Sequence, residues 1–365
     1  MNIRKSGIKV LHIIDSLGLG GAQTIVKGIV EQSQISNDHF VFALRARDIT
    51  MDIDNPNVAI FPSSKKYSFA PLHTLKTYIE QNDITILHCH LFRSVVFGYI
   101  LKRLYFPRLT LIVHEHGHIF REDKIYPFLL KKFTPFINQY IGISRATSDY
   151  LQSKAGVSPS KIHLLYNFVD LERFSARQSD TKLESRKRHS IPKDAFVFGF
   201  AGRLIKRKGW REFVQAAIFL SEDVSDVHFL IAGAGDDEAD LKMLIADTPS
   251  IHYLGYQPDM PAFYQMLDCF VVPSHWEPMG LTEIEAQAMN IPVISSNVPA
   301  LNEIIYHKEN GLLFEAKNVP DLLRVMGIVL SDSSLRKSIT DRGYQSAQKY
   351  SLETYLSALN TIYKK

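Results

Sequence analysis

Cysteine is scarce in this chain: 365 residues contain two, Cys89 and Cys269, each in or beside an apolar run. That excludes a disulfide framework, and both thiols are expected in core packing. Long hydrophobic runs are missing as well, because the 45% hydrophobic content is broken into short segments, none able to span a bilayer. No short-period repeat or low-complexity segment interrupts the chain. Charge of one sign is also lacking, with 42 Lys and Arg against 38 Asp and Glu for a net +4, and no nucleic-acid partner is expected. The opening MNIRKSGIKVLHIID has a short apolar run ending in charge, without a cleavage-like site. It reads as the first strand of a cytoplasmic protein.

What is present is an alternation. The first half runs IKVLHIID, a helix from about Ala22, VFALRA, VAIFP, a helix near Leu72–Gln81, ITILHCH, a helix through Val95–Leu104, LTLIVHEHG and YIGIS. The second half repeats the pattern with AFVFGFAG, a helix from about Trp210, VHFLIAG, a helix near Glu238–Ile245, IHYLGY, a helix near Met260–Leu267, CFVVP and IPVIS. Strands alternating with helices predict doubly wound parallel α/β sheets, and this length gives room for two such domains. The polar stretch SARQSDTKLESRKRHSIP separates them. The boundaries read from this are an amino-terminal Rossmann-like domain over 1–168, a linker over 169–192, a second Rossmann-like domain over 193–349 and a terminal helix over 350–365. Two sheets facing across a cleft are expected, and small-molecule sites concentrate in such clefts.

The second half turns on Cys269–Ser296, CFVVPSHWEPMGLTEIEAQAMNIPVISS. Strand, loop, helix and strand follow one another there, and in such a unit ligands bind beside the helix start. Glu277 and Glu285 flank the turn, while Met279, Gly280 and Leu281 offer backbone N–H groups to anionic or polar oxygens. Two glycine clusters invite a dinucleotide reading. In Gly18-Leu19-Gly20-Gly21-Ala22-Gln23, however, Gln23 occupies the third glycine position and no acid follows for a ribose. After Gly233-Ala234-Gly235, Asp236, Asp237 and Glu238 would repel a phosphate. No cofactor is expected. Nor is a metal: Asp52-Ile53-Asp54 lies in a short polar connection, and His88, His90, His114, His116 and His118 read as packing, lining and one ligand-facing histidine.

The pattern S-x-x-E-P-M-G-L-T-x-x-E-A-x-A-M, followed by P-V-I-S-S and Glu303, resembles the family 4 retaining glycosyltransferases of the GT-B fold. Three further segments share the resemblance: N-x-V-D-x-x-x-F at Asn167–Phe174, the basic loop Arg203 to Lys208, and the final YSLETYLSALNTIYKK, which is similar to a helix that crosses back to the first domain. Pro278, Asn290 and Pro299-Ala300 stand where that family often has glycine.

The resemblance implies a role for each site residue. Glu277 would meet the donor sugar, the Met279, Gly280 and Leu281 amides the sugar and diphosphate, and Glu285 the ribose hydroxyls. Arg203 and Lys208 would neutralise the diphosphate leaving group in place of a metal. Gly20 and Gly21 would let the backbone approach the donor diphosphate or the acceptor, and His116 would contact the donor sugar and the reacting centre, with His118 second. The implied activity is a metal-independent, retaining transfer of a hexose or N-acetylhexosamine from a nucleoside diphosphate sugar, a UDP-sugar first and a GDP-sugar as the alternative. The departing diphosphate itself would take the acceptor's proton.

The acceptor is expected to be a lipid-linked saccharide. Residues 1–168 hold 20 basic against 12 acidic residues, a net +8, while 169–365 hold 22 against 26, a net −4. Lys102, Arg103 and Arg108 follow one apolar helix, and Lys124, Lys131 and Lys132 border IYPFLLKKF. That pattern suits an anionic membrane surface, so peripheral docking on the cytoplasmic leaflet is expected. The alternatives are a GT-B epimerase, a non-catalytic nucleotide-sugar-binding protein and, third, a dehydrogenase.

Overall fold

The six apolar runs of the first half, joined by Ile162–Leu164, become the strands of one parallel sheet in the computed structural model, which describes residues 7–18, 20–32, 38–46, 49, 51–65, 68–117, 125–175 and 182–365. They are β1 (Val10–Ile14), β2 (His39–Ala43), β3 (Val58–Ile60), β4 (Ile86–His90), β5 (Thr110–Glu115), β6 (Gln139–Gly142) and β7 (Ile162–Leu164), in the spatial order β3-β2-β1-β4-β5-β6-β7. Helices α1 (Gly21–Gln32), α2 (Pro71–Gln81), α3 (Phe92–Leu104), α4 (Ile125–Phe133) and α5 (Arg145–Ala155) connect them. Every residue of β1, β2 and β4 is buried. This is why these strands read as continuous apolar runs and not as alternating ones: helices cover both faces of a parallel sheet.

The second unit repeats the plan. After α6 (Leu171–Ser175) and α7 (Lys182–Arg188) come β8 (Phe196–Ala201), α8 (Trp210–Asp223), β9 (Val227–Ala232), α9 (Glu238–Leu244), β10 (Ile251–Gly255), α10 (Met260–Gln265), β11 (Cys269–Val272), α11 (Leu281–Ala288), β12 (Val293–Ser296), β13 (Leu312–Phe314), α12 (Val319–Ser331) and α13 (Ser333–Ala347). The sheet order is β10-β9-β8-β11-β12-β13. The last helix, α14 (Leu352–Tyr363), packs with the first unit, which comprises the chain up to Asn167 together with Leu352–Lys365; the second is Phe168–Ser351.

In each sheet the strand order reverses once, between β1 and β4 in the first unit and between β8 and β11 in the second. Ligands of open α/β sheets bind at the carboxyl ends of the strands flanking such a reversal. The loops after β1, β4, β8 and β11 are therefore where each unit's site residues should gather.

The polar stretch read as a linker differs from that expectation. Its residues 182–188 form α7, and Arg186 is buried there, donating to the Met266 carbonyl at 2.8 Å, the Ala195 carbonyl at 3.0 Å and the Asp268 carboxylate at 2.6 Å. An arginine inside a KLESRKR run looks solvated by composition. Here its five donors hold the loop before β11 to the segment that leads into β8, a use only the fold reveals.

Candidate active site

In the second unit, two loops meet at the reversal between β8 and β11. The first carries Arg203 and a 3-10 turn over Lys206–Lys208; the second carries Ser274–Gly280. Gly209 allows the meeting. Its φ of +69° is left-handed, and a Cβ there would stand 1.9 Å from the Pro273 carbonyl oxygen. Both requirements select glycine. With the loops this close, the His275 amide donates to the Arg207 carbonyl at 2.8 Å, and the His275 ring nitrogen Nε2 lies 2.7 Å from Glu212 Oε1.

Glu277 sits at the junction, 7% exposed. Its Oε1 accepts from Lys208 Nζ at 2.5 Å and from Ser274 Oγ at 2.8 Å, and its Oε2 lies 3.7 Å from Arg207 Nη1. The Arg207 guanidinium lies over the Trp276 ring, 4.4 Å from its centroid. Arg207 is thus part of the junction. Arg203 is exposed, and among the described residues no ion pair engages it. The loop therefore presents Arg203 and Lys206 as exposed cations beside Arg207 and Lys208, which face Glu277.

Gly280 precedes α11, which carries two further carboxylates, Glu283 in its first turn and Glu285 just beyond it. Glu285, partly buried, accepts from the Tyr264 hydroxyl at 3.0 Å, and desolvation pushes its pKa up to about 7. Glu283 is fully buried, receives hydrogen bonds from Ser295 Oγ and Thr282 Oγ1 at 3.1 Å each, and is also pushed up to about 7, by burial first and then by the charge of Glu277. Sequence reasoning passed over Glu283 and Tyr264. The available signal was the T-E-I-E run itself, which puts an acid on the helix face opposite Glu285. Met279 is buried, and Gly280 and Leu281 open the helix, so these amides lie at its positive end.

In the first unit, Asp15 follows β1 and is gripped by two arginines: Arg45 Nε at 2.9 Å and Arg93 Nη1 at 3.0 Å. Gly20 and Gly21 begin α1 in exposed positions. A Cβ on Gly21 would meet nothing within 4 Å, and one on Gly20 would meet only the Gln23 side chain. Packing inside the unit asks for glycine at neither. Leu91, between β4 and α3, has φ 70° and ψ 161°, strain that concentrates at ligand sites. His116 follows β5, its Nε2 3.0 Å from His90 Nδ1, and burial lowers its pKa to about 3, so it stays neutral. His118 and Lys124 lie outside the described residues, as does Leu19.

Two histidine trios, His12, His88 and His90, and His90, His114 and His116, bring ring nitrogens within 4.8 Å of one another. Their rings are stacked, with centroids 4.3 Å apart for His88–His90 and 4.1 Å for His114–His116. The pairs His12–His88 and His90–His114 are tilted, by 36° and 43°. Asp52 and Asp54 are in no such group among the described residues.

Comparison with known proteins agrees with this layout. Residues 19–173 match the family model described as Glycosyltransferase Family 4, and residues 181–346 match Glycosyl transferases group 1. An Escherichia coli UDP-Gal:alpha-D-GlcNAc-diphosphoundecaprenol alpha-1,3-galactosyltransferase is 26% identical over 357 residues, covering 92% of this chain and 91% of that protein. A Campylobacter jejuni N,N'-diacetylbacillosaminyl-diphospho-undecaprenol alpha-1,3-N-acetylgalactosaminyltransferase is 26% identical over 61% of this chain and 59% of its own length. Among solved structures, Anabaena Alr3699/HepE in complex with UDP superposes with a TM-score of 0.86 at 18% identity, covering 98% of this chain and 100% of that one.

Proposed function

The chain belongs to the family 4 glycosyltransferases and has their GT-B fold, and on that premise we propose that it is a retaining, metal-independent enzyme of surface polysaccharide or glycolipid assembly. It moves a hexose or N-acetylhexosamine from a nucleoside diphosphate sugar, a UDP-sugar before a GDP-sugar, to a lipid-linked saccharide. The observation that carries the reading is the carboxylate and cation cluster at the β8–β11 reversal: Glu277 held by Lys208 and Ser274, with Glu285 one turn into α11.

That cluster suits each part of a donor. Arg203, Lys208 and the Met279, Gly280 and Leu281 amides offer cations and N–H groups to the diphosphate where charge develops as the anomeric bond breaks. Glu277 is an acceptor for sugar hydroxyls, and its pairing with Lys208 sets the sugar and the leaving phosphate side by side. Glu285 accepts ribose hydroxyls. In the first unit, Gly20 and Gly21 leave backbone open to a ligand, and neutral His116 serves as a hydrogen-bonding group near the reacting centre. The lipid-linked acceptor is supported by the relatives that act on diphosphoundecaprenol saccharides.

The test is a thermal-shift screen of nucleoside diphosphate sugars in EDTA, followed by NMR of the product made with a diphosphoprenyl saccharide. A donor at 100 times its Kd stabilises the fold by about 2.7 kcal/mol. No shift with any donor would end the reading, and an inverted anomer or dependence on added metal would overturn the corresponding part of it.

A further inference from the structure

The proposed reaction uses one histidine of the first unit, yet among the described residues seven lie on its strands or directly after one, and four of them form a continuous chain. His39 Nδ1 is 3.0 Å from His12 Nε2, His12 Nδ1 is 3.0 Å from His90 Nε2, and His90 Nδ1 is 3.0 Å from His116 Nε2. The three stacked steps each separate ring centroids by 5.3 Å. The register explains the line. His39 pairs with Val10 on β1, His12 with His88 on β4, and His90 with His114 on β5, so each step moves one strand across and two residues up. Successive side chains of one strand face alternate ways, so a two-residue climb keeps every ring on one face. The chain thus runs from the amino edge of the sheet, beside Asp38, to its carboxyl edge at His116.

Hydrogen bonding between neutral imidazoles constrains this chain strictly. Each ring has one N–H and one bare nitrogen, and each link needs one of each. Because every link joins Nδ1 of one ring to Nε2 of the next, all four rings must share one tautomer, either Nδ1–H throughout or Nε2–H throughout. Passing from one state to the other takes a proton in at one end and releases one at the other. Burial opposes a charge resting inside: the pKa is held well below the usual histidine range for His12 and His90, and lowered to about 4 for His39. The branch Tyr363–His88–His114 stands apart, with Tyr363 Oη 2.7 Å from His88 Nδ1, and it ends in a buried His114 Nε2 that has no hydrogen-bond partner among the described residues.

We propose that His39, His12 and His90 are a proton relay serving His116, and that the proton displaced from the acceptor hydroxyl leaves through it. The chemical step rests on the transfer reading; the relay does not. Starting from the Nε2–H state, the acceptor oxygen bonds to the anomeric carbon, and the bond to the diphosphate breaks with its electron pair leaving on phosphate oxygen. The acceptor's proton goes to His116 Nδ1, and protons pass from His116 Nε2 to His90 Nδ1, from His90 Nε2 to His12 Nδ1 and from His12 Nε2 to His39 Nδ1. His39 Nε2 releases one to water. The chain resets when His116 gives its Nδ1 proton to water after product departs and His39 takes one back. This is a second destination for a proton that the diphosphate would otherwise take.

The first measurement is made on the full wild-type chain labelled with 15N-histidine. Long-range 1H–15N spectra, assigned by single His→Gln variants, are expected to show His12, His39, His90 and His116 in one common tautomer; any one of them in the opposite tautomer overturns the chain. The second uses His12→Gln, whose amide can accept and donate one hydrogen bond each but cannot pass a proton. The expectation is a fall of at least about tenfold in kcat, with KM for both substrates and donor affinity unchanged. Wild-type kcat in that variant overturns the relay and leaves the diphosphate as the proton's destination. If wild-type protein transfers no sugar, the proposed function fails instead, and the spectra still decide the chain; they also decide it if His12→Gln does not fold.

Discussion

Glu283 shows how one buried side chain couples the site to pH. Its folded pKa of about 7 lies above the ordinary 4.5, so the protonated form is the one the fold favours. Below about pH 4.5 the carboxyl is neutral folded or unfolded, and its contribution is fully present. As pH rises from 4.5 through 7 the unfolded chain ionises while the folded one resists, and that contribution is lost, on the order of 3 kcal/mol. Glu283→Gln cannot ionise. Urea unfolding should give it about wild-type stability at pH 5 and greater stability at pH 8; the same difference at both pH values would refute the coupling. The two neighbouring acids should separate by kinetics. Glu285→Ala removes contacts made in ground and transition states alike and is expected to weaken donor binding about tenfold or more, whereas Glu277→Ala should chiefly lower kcat. Titration calorimetry with the donor, beside steady-state rates, distinguishes them, and wild-type values in both variants would dissolve the assignment.

At the scale of elements, what could be read from sequence followed from local pattern, and what could not depended on register. The long buried strands and the β11–α11 unit were legible because each is an apolar run bounded by turn residues. Edge strands β7 and β13 were not: Ile162–Leu164 and Leu312–Phe314 are too short to show a period, and neither is set off as the equally short β3 was by the Pro that closes VAIFP. The glycine substitutions were legible as departures but not as geometry. Asn290 and Ala300 keep left-handed φ values of 58° and 72°, the conformation for which glycine is suited. The pairing of Lys208 with Glu277 and the diagonal of histidines arise only when strands far apart in sequence align. Two glycines turn this into a prediction. Gly209→Ala should destabilise the second unit by more than about 2 kcal/mol, because its Cβ would strike the Pro273 carbonyl. Gly21→Ala should leave stability within about 0.5 kcal/mol, since its Cβ enters open space, while activity falls if a ligand approaches there. Denaturation curves and turnover of both variants check this, and a stability loss in Gly21→Ala would remove the ligand argument.

At the scale of the whole molecule, charge is divided unevenly: +8 over residues 1–168 and −4 over 169–365. No helix among the described residues is long and apolar enough to cross a membrane. The basic set narrows once hydrogen bonds are counted. Lys102 donates to the Leu109 carbonyl at 2.7 Å and to Asn138 Oδ1 at 2.5 Å, and is spent inside the unit. Arg103, Arg108, Lys131 and Lys132 remain exposed, near exposed apolar side chains: Leu104 at 64% exposure, Ile125 at 64% and Phe128 at 59%. These lie at the end of α3 and on α4, helices joined by the stacking of Tyr99 on Phe133 at 4.1 Å. Apolar side chains ringed by cations suit the headgroup boundary of an anionic leaflet, where each charge contributes about 1 kcal/mol, so four would hold the protein reversibly. Flotation should therefore recover it with anionic liposomes at low salt and release it at high salt, because screening shortens the reach of these charges. Lys131→Glu with Lys132→Glu should abolish the association without changing donor binding. Failure to float with either anionic or neutral vesicles would rule out docking by this face.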